Sequence, residues 1–263
     1  MRTVRILMIP LLAATLASAG CDLMTASLRA EQTAQWQKTY PVAANATVDI
    51  ENVNGKIEVE PSSGATVEVT AVKKARGASD EAAKAALDRI TIAEDVAGDH
   101  VKVEAKFPQS GGFFSGNNGS VEFHVKVPAG VTAKFGTVNG EVNLRGLSGH
   151  VTAETTNGGV KTHDVSGQLD ASTTNGGLDI DLAKMPDGGV KLDCTNGGIT
   201  VRLPRDAKVT IAASITNGGI KTTDLPIETS GENDRRRLDA KMNGGGPRLQ
   251  VDGTNGGITL TSR

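Results

Sequence analysis

Three side chains in the second half of the chain have the types that general acid–base chemistry needs. Asp179 and Asp181 are separated by one residue, and His163 precedes them. Two carboxylates can serve as the acid and the base that cleave a glycosidic bond, and a histidine can assist proton transfer. Cationic side chains that could hold the carboxylate of an acidic sugar stand nearby in the sequence pattern, namely Lys161, Arg202 and Lys221. The pattern therefore allows a carbohydrate-active enzyme of the pectinase-like β-helix type.

These candidates are positioned by a repeat whose marker is an Asn-Gly pair. The pairs begin at Asn139, Asn157, Asn175, Asn196, Asn217 and Asn255. Successive pairs are 18 or 21 residues apart up to Asn217, and the last interval of 38 residues is about two repeats. A constant period of about twenty residues predicts a solenoid in which each repeat forms one rung.

Within each repeat, apolar and polar residues alternate. The positions four and two before the Asn, and three and five after it, are mostly apolar or Thr. This period of two predicts a strand on each side of the Asn-Gly pair, with one face buried. Cys194 falls on a buried position, so we expect a small core residue rather than a nucleophile or ligand.

The charged candidates fall on the outward positions, four and six residues after the Asn. In stacked rungs, Asp181 would lie between His163 and Arg202, and Lys161 would lie beside Asp179. Opposite charges that alternate up a parallel sheet stabilise it slightly, whereas like charges would repel. Simple ion pairing is therefore an alternative to catalysis for the same residues.

The Asn-Gly pair itself predicts a sharp corner. Both residues tolerate positive φ, so the chain can turn at the same place in every rung. With rungs about 4.8 Å apart, each Asn amide can donate to the neighbour on one side and accept from the other. The six Asn residues would form a ladder, and chain order would place Asn255 at its end.

The first half of the chain follows the same pattern and then departs from it. The segment Val48–Glu60 contains Asn54-Gly55 and matches the repeat, whereas Ser79–Ile90 predicts one short helix with Ser79 as its N-cap. Strands are predicted at His100–Phe107 and Ser120–Val127, joined by a Gly-rich loop that exposes Phe113 and Phe114. We expect a β-rich cap over residues 38–127 and the repeat region over residues 128–263.

The N-terminus has the features of an export signal. Arg2 and Arg5 precede an apolar run from Ile6 to Leu16 and then small residues, so residues 1–20 predict a signal peptide. Ala17-Ser18-Ala19 fits an ordinary cleavage site, and Ser18-Ala19-Gly20-Cys21 fits a bacterial lipobox. We favour lipidation of Cys21, because a lone cysteine directly after a signal peptide has few other uses in an oxidising compartment. Residues 21–37 would then form a tether, and the protein would be periplasmic or at the cell surface.

Two stretches carry a resemblance to a known family. "VPAGVTAKFGTVNGEVNLRGLSGHVTAETTNGG" and "NGGGPRLQVDGTNGGITL" resemble the bacterial putative-adhesin family of Asn-Gly β-strand repeats, a domain of unknown function. The resemblance extends from about Val48 to the C-terminus. It implies an all-β, right-handed, single-stranded parallel β-helix in the cell envelope, and it supplies no catalytic residues.

Composition and motifs exclude several other classes. The net charge is −2 and positive and negative residues are interspersed, so the sequence indicates no basic surface for binding nucleic acid. The chain has no zinc-ligand spacing, P-loop, nucleophile elbow or dinucleotide-binding fingerprint, so we expect no metal and no cofactor. The preferred function is a non-catalytic envelope scaffold whose long regular surface contacts a protein or glycan, and the enzyme described above is the alternative.

Overall fold

The computed structural model describes residues 30–43, 45–108, 119–230 and 234–263. Over these ranges the protein is all-β with one short helix, and its 19 strands form one sheet wound into a solenoid-like stack. The predicted signal peptide, Cys21, most of the predicted tether, and Phe113 and Phe114 lie outside the described residues. Within the described part, no helix has the length and hydrophobicity needed to span a membrane.

The elements of the first half include the helix. In chain order they are β1 (Ala30–Pro41), β2 (Thr47–Glu51), β3 (Ile57–Pro61), β4 (Thr66–Gly77), α1 (Asp80–Asp88), β5 (Thr91–Ala97), β6 (His100–Lys106), β7 (Gly119–Val127), β8 (Thr132–Asn139) and β9 (Val142–Arg145). The helix prediction is confirmed, because the Ser79 hydroxyl accepts a hydrogen bond from the Ala82 backbone N–H and caps α1.

The elements of the second half are all strands. They are β10 (Val151–Asn157), β11 (Val160–His163), β12 (Leu169–Asn175), β13 (Leu178–Asp181), β14 (Val190–Asn196), β15 (Ile199–Leu203), β16 (Val209–Thr223), β17 (Ile227–Thr229), β18 (Arg237–Met242) and β19 (Arg248–Ser262). Most rungs consist of two strands joined at the Asn-Gly corner. In β16 and β19 a single 15-residue strand continues through the corner.

Neighbouring rungs pair in parallel and in register. Asn157 of β10 lies opposite Asn139 on one side and Asn175 on the other, and the pattern continues to Asn196 and Asn255. The inward position three residues after the corner is fully buried in most rungs, as at Val142, Val160, Leu178, Ile199 and Ile258. The repeat alignment therefore gives the correct register for the stack.

The spatial order of the rungs differs from their chain order at both ends. At one end, β19 pairs with β14 and β15 on one side and with β16 on the other, so the last rung of the sequence is inserted before β16. The expectation that Asn255 ends the ladder is wrong for this reason. At the other end, β2 lies between β6 and β8, so the first rung of the sequence is second in space.

Antiparallel strands terminate the stack. At the end formed by β6 and β7, β5 pairs with β6, and β4 pairs with β7 and carries β1 as its outer neighbour. At the other end, β18 pairs with the first half of β16. Strand pairing also crosses the predicted boundary at residues 127 and 128, because β2 pairs with β8 and β3 with β9. That boundary stays a prediction.

The core is narrow and aliphatic except near the capped end. Among the described residues, Phe123 and Phe135 are the aromatic rings that are fully buried, and both lie in the rungs next to β2 and β3. Beyond them the interior is filled by Val, Leu, Ile, Ala and Thr, with Cys194 and Met242. A rung of about twenty residues encloses a single layer of such side chains, which leaves room for no larger group.

Candidate functional site

The first candidate feature is the Asn-Gly corner, by which we mean the stacked Asn residues and the glycines that follow them. Six side-chain amides donate through Nδ2 to the Oδ1 of a neighbouring Asn at 2.7 to 3.0 Å, whereas the Nδ2 of Asn54 has no hydrogen-bond acceptor among the described residues. In spatial order the ladder is Asn54, Asn139, Asn157, Asn175, Asn196, Asn255 and Asn217. Asn54 extends the ladder by one level beyond the six residues of the repeat alignment.

Glycine is required at the corner because the backbones of neighbouring rungs approach each other closely. The backbone conformation of the Asn is not the reason. A Cβ at Gly176, where φ is 153°, would lie 1.8 Å from the carbonyl oxygen of Gly158 in the next rung. None of the ladder Asn residues is among the described non-Gly residues with positive φ, which are Asp164, Asp224 and Asn243. The Asn is therefore selected by the side-chain ladder, and the sequence-based argument from its tolerance of positive φ is wrong.

A second row of hydrogen bonds supports the corner from inside, and sequence reasoning missed it. The buried hydroxyls of Thr155 and Thr173 donate to the carbonyl oxygens of Gly140 and Gly158 at 2.9 and 2.8 Å. Cys194 occupies the same position one rung further, with its Sγ 3.4 Å from the carbonyl oxygen of Gly176. Burial raises the pKa of this thiol, which favours the neutral form expected of a core residue.

The second candidate feature is the charged face, the outer side of β9, β11, β13 and β15. Here the rungs form an open depression of about 570 Å³. It is lined by Glu141, Asn143, Leu144, Arg145, Lys161, Thr162, His163, Asp179, Asp181 and Arg202. The structure therefore brings together all the sequence candidates for acid–base chemistry except Lys221, which lies on β16 and does not line the depression.

The first carboxylate of this face, Asp179, is held by an arginine. Its Oδ1 accepts a hydrogen bond from Nη1 of Arg202, one rung away. Lys161 lies beside Asp179 in the register, as expected, but its Nζ pairs with Glu141 at 2.6 Å. The hydrogen bond from Lys161 to Glu141 raises the pKa of the lysine.

The second carboxylate, Asp181, is buried rather than exposed, with only 8 % of the residue accessible. Its Oδ2 lies 2.9 Å from Nδ1 of His163, and its Oδ1 lies 3.0 Å from Nε of Arg263. The contact with Arg263 is an ion pair by distance, but its geometry leaves Oδ1 without a hydrogen bond from the described residues. Asp181 therefore lies between the His163 ring and the Arg263 guanidinium, and its Oδ1 lacks a directional hydrogen bond.

Two residues around Asp181 were missed by sequence reasoning. Asp164 follows His163 in a left-handed backbone conformation, and its Oδ2 lies 3.2 Å from Nε2 of the same ring. Arg263 bonds the other oxygen of Asp164, and this hydrogen bond lowers the pKa of that carboxyl. Arg263 lies here because its backbone N–H bonds the carbonyl of Leu203, which continues the pairing of β19 with β15.

The cluster at Asp181 also has ligand types that bind metals. One atom each of His163, Asp164 and Asp181 lies within 4.8 Å of the others. The sequence predicts no metal ligands here, because these residues lack a zinc-type spacing. His163 and Asp181 meet because the stacking brings position six of one rung next to position six of the neighbouring rung, and Asp164 joins them from the residue after His163.

Comparisons with solved structures find proteins that are similar over most of the chain. A putative cell adhesion protein from Clostridium sporogenes is 12 % identical, covers 88 % of this chain and 100 % of its own, and has a TM-score of 0.49. A putative adhesin from Bacteroides fragilis is 10 % identical, with 88 % and 97 % coverage and a TM-score of 0.29. A putative lipid binding protein from Parabacteroides distasonis is 12 % identical, with 87 % and 96 % coverage and a TM-score of 0.20.

No curated protein matches the chain in sequence. A family model does match, and it extends over residues 46–261, which include the helix and every rung of the stack but not β1. The resemblance seen in the sequence is thus confirmed at the level of a domain family of unknown function. This chain belongs to the Toastrack DUF4097 family.

Proposed function

We propose that this protein is a non-catalytic scaffold or adhesin of the bacterial cell envelope, which contacts an envelope protein or glycan through the charged face. The observation that carries the proposal is the state of the two candidate carboxylates. Asp179 is bonded to Arg202, and Asp181 lies between His163 and Arg263. Carboxylates neutralised by the protein's own cations serve the structure of the face rather than proton transfer.

The face also has groups that remain available to a partner. Arg145 is exposed at the depression and forms no ion pair with any described residue. Lys161 is 57 % exposed in its side chain, and its one ion pair within the described part of the chain is with Glu141. Exposed cations on a rigid strand surface can bind the carboxylates or sulfates of a glycan, or acidic side chains of a protein.

The alternative, a pectinase-like enzyme, has no observation in its favour. A polysaccharide that is to be cleaved must be held by walls while an acid and a base flank one bond. The depression over Asp179 and Asp181 is open, and Lys221 does not reach it. The scaffold is therefore the better explanation of the same residues.

The finer features of the proposal concern winding and location. We propose a right-handed, single-stranded parallel β-helix, since crossover connections between parallel strands are nearly always right-handed. We also propose that residues 1–20 direct export and that a lipid on Cys21 holds the stack at a membrane. Residues 30–37 of the expected tether belong to β1 and pair with β4, so they are part of the fold and do not serve as a tether. Metabolic labelling with a fatty-acid analogue tests the anchor, and a Cys21→Ser variant should lose the label. A mature chain without label would refute the anchor, although not export.

The scaffold proposal is tested by binding and turnover measured on the same material. The purified chain is incubated with bacterial envelope fractions and with acidic polysaccharides, and both sedimentation and release of new sugar ends are recorded. We expect binding without release, weakened by Arg145→Gln and by Lys161→Gln. Lys208→Gln, at an exposed lysine outside the depression, is the matched control and should bind like the parent.

Two results would contradict the proposal. Release of sugar ends that is abolished by Asp181→Asn would show catalysis and would restore the enzyme. Equal binding by the parent, the two face variants and the control would show that the charged face is not the contact surface.

A further inference from the structure

We propose that His163, Asp164 and Asp181 form a binding site for a divalent cation of the Zn²⁺ type, and that Arg263 covers this site and competes with the cation. This inference is independent of the scaffold function, since a metal site could stiffen or regulate the face whatever it contacts. It rests on the arrangement of two side chains, His163 and Arg263, around the carboxylates of Asp164 and Asp181.

The carboxylate oxygens are divided between two groups of partners. The Oδ2 atoms of Asp164 and Asp181 face the ring of His163, at 3.2 Å from Nε2 and 2.9 Å from Nδ1. The Oδ1 atoms of the same two residues face the guanidinium of Arg263. The His163 ring on one side and the Arg263 guanidinium on the other therefore hold together two carboxylates that would otherwise repel each other.

A divalent cation satisfies the same electrostatic demand with one compact ion. An imidazole nitrogen and two carboxylate oxygens are ligands that Zn²⁺ accepts, with water completing a four-coordinate shell. The three ligand atoms lie within 4.8 Å of one another, so they are close enough to converge on one ion after side-chain rotation. On binding, the imidazole gives up one nitrogen to the ion, and the guanidinium moves away from the carboxylates because like charges repel.

Asp181 supplies an independent reason to place an ion here. Only 8 % of the residue is accessible, and its Oδ1 is buried with no hydrogen bond from the described residues. A buried carboxylate oxygen without a directional partner is costly, since it has lost its water without gaining a full replacement. A metal ion bound to Oδ1 would remove that cost, which the ion pair with Arg263 does only in part.

The other histidine–carboxylate pairs of the described chain lack this arrangement. His150 contacts a single carboxylate, that of Asp170 at 3.0 Å, and both side chains are about 40 % exposed. His124 contacts Glu58 at 2.8 Å, and that carboxylate is already bonded to Lys56. These pairs have similar chemistry but no second carboxylate, so they are internal controls for the site at His163.

The experiment measures Zn²⁺ binding by calorimetry on the full purified chain and on matched variants. Arg263→Gln removes the competing charge and should tighten Zn²⁺ binding at least about tenfold. Adding Asp181→Asn or, separately, Asp164→Asn to that variant should weaken binding by at least about tenfold, because each removes one of three ligands. Asp170→Asn in the same background should leave binding unchanged.

Cobalt provides a second readout that reports ligands directly. Co²⁺ added to the Arg263→Gln variant should give the visible absorption of a low-coordinate nitrogen and oxygen site, lost on His163→Gln. The proposal is overturned if Arg263→Gln binds Zn²⁺ no more tightly than the parent. It is equally overturned if neither Asp164→Asn, at an exposed position, nor Asp181→Asn weakens binding in that background.

Discussion

The Asn-Gly corner and the charged face lie on the same rungs but depend on different physics. At the corner every level repeats the same residues, because the backbones approach so closely that only glycine fits and each amide needs an identical neighbour. On the charged face the residues change from rung to rung, and neighbouring rungs are joined by pairs of oppositely charged side chains instead of by identical ones. The corner therefore determines the fold, and the face is the part that can vary to suit a partner.

The comparison predicts that the largest loss of stability follows a change at a corner glycine. In Gly176→Ala the new Cβ would lie 1.8 Å from the carbonyl oxygen of Gly158, and at φ 153° an L side chain is strained as well. We expect a loss of about 3 kcal/mol or more in the free energy of unfolding, measured by urea denaturation. Gly136→Ala is the control, because no heavy atom lies within 4 Å of its added Cβ. Equal urea midpoints for the two variants would contradict the close-approach argument.

The next largest effect is expected for the Asn side chains. Asn175 donates to Asn157 and accepts from Asn196, both at 3.0 Å, so Asn175→Ala leaves two partners unpaired. We expect a loss of about 1–3 kcal/mol by the same denaturation measurement. Asn217, at the end of the ladder, makes one such bond, and Asn217→Ala should be milder.

Asn255 sharpens this test because it is last in the sequence but internal in space. It donates to Asn196 and accepts from Asn217, so Asn255→Ala should resemble Asn175→Ala in its loss of stability. A loss that instead matches Asn217→Ala would argue against the inserted position of β19. Negligible losses at all three positions would mean that the Asn serves the turn alone.

On the charged face the largest expected effect is at Asp181. The sequence pattern predicts an exposed pair worth a fraction of a kcal/mol, but the residue is buried between His163 and Arg263. We therefore expect Asp181→Asn to lower the free energy of unfolding by about 1–2 kcal/mol, since it removes charge-assisted contacts while keeping the side-chain shape. Asp170→Asn, at the half-exposed pair with His150, should cost less. A smaller loss at Asp181 than at Asp170 would contradict this ranking.

The sequence predicts the repeat well because the fold depends on regular positions. The period and the inward-facing positions follow from a pattern that recurs in every rung. The helix follows from its own N-cap at Ser79. The spatial order of the end rungs is not predictable in this way, because β19 and β16 have nearly the same sequence pattern and either could pair with β14. Local sequence cannot distinguish two rungs that match the same neighbour.

The cluster at Asp181 was predictable in part, because two of its residues lie at regular positions of the repeat. The alignment of rungs places His163 next to Asp181, and the structure has that contact. Asp164 and Arg263 lie outside the repeat columns, so the alignment gives no position for them. Their contribution depends on the loop after β11 and on the pairing of β19 with β15, which are properties of the assembled stack.

The smallest expected effect is at Glu58, where β3 continues the charged face next to Asn143. The hydrogen bond from Lys56, assisted by His124, holds the pKa of this carboxyl below its usual range. A depressed pKa in the folded state adds stability above the unfolded value of about 4.3, and that contribution is lost as pH falls through the folded pKa. Because the side chain is 35 % exposed, we expect Glu58→Gln to cost less than about 1 kcal/mol near pH 7.

The loss of unfolding free energy in Glu58→Gln should depend on pH, which distinguishes the charged face from the Asn-Gly corner. Unfolding free energies of the parent and Glu58→Gln, measured by urea denaturation from about pH 7 downward, should converge once Glu58 is protonated in both states. The loss caused by Asn175→Ala involves no ionisable group and should stay constant over the same range. If the Glu58→Gln loss also stays constant at acidic pH, the contribution of Glu58 comes from packing, and the electrostatic description of the charged face fails at this position.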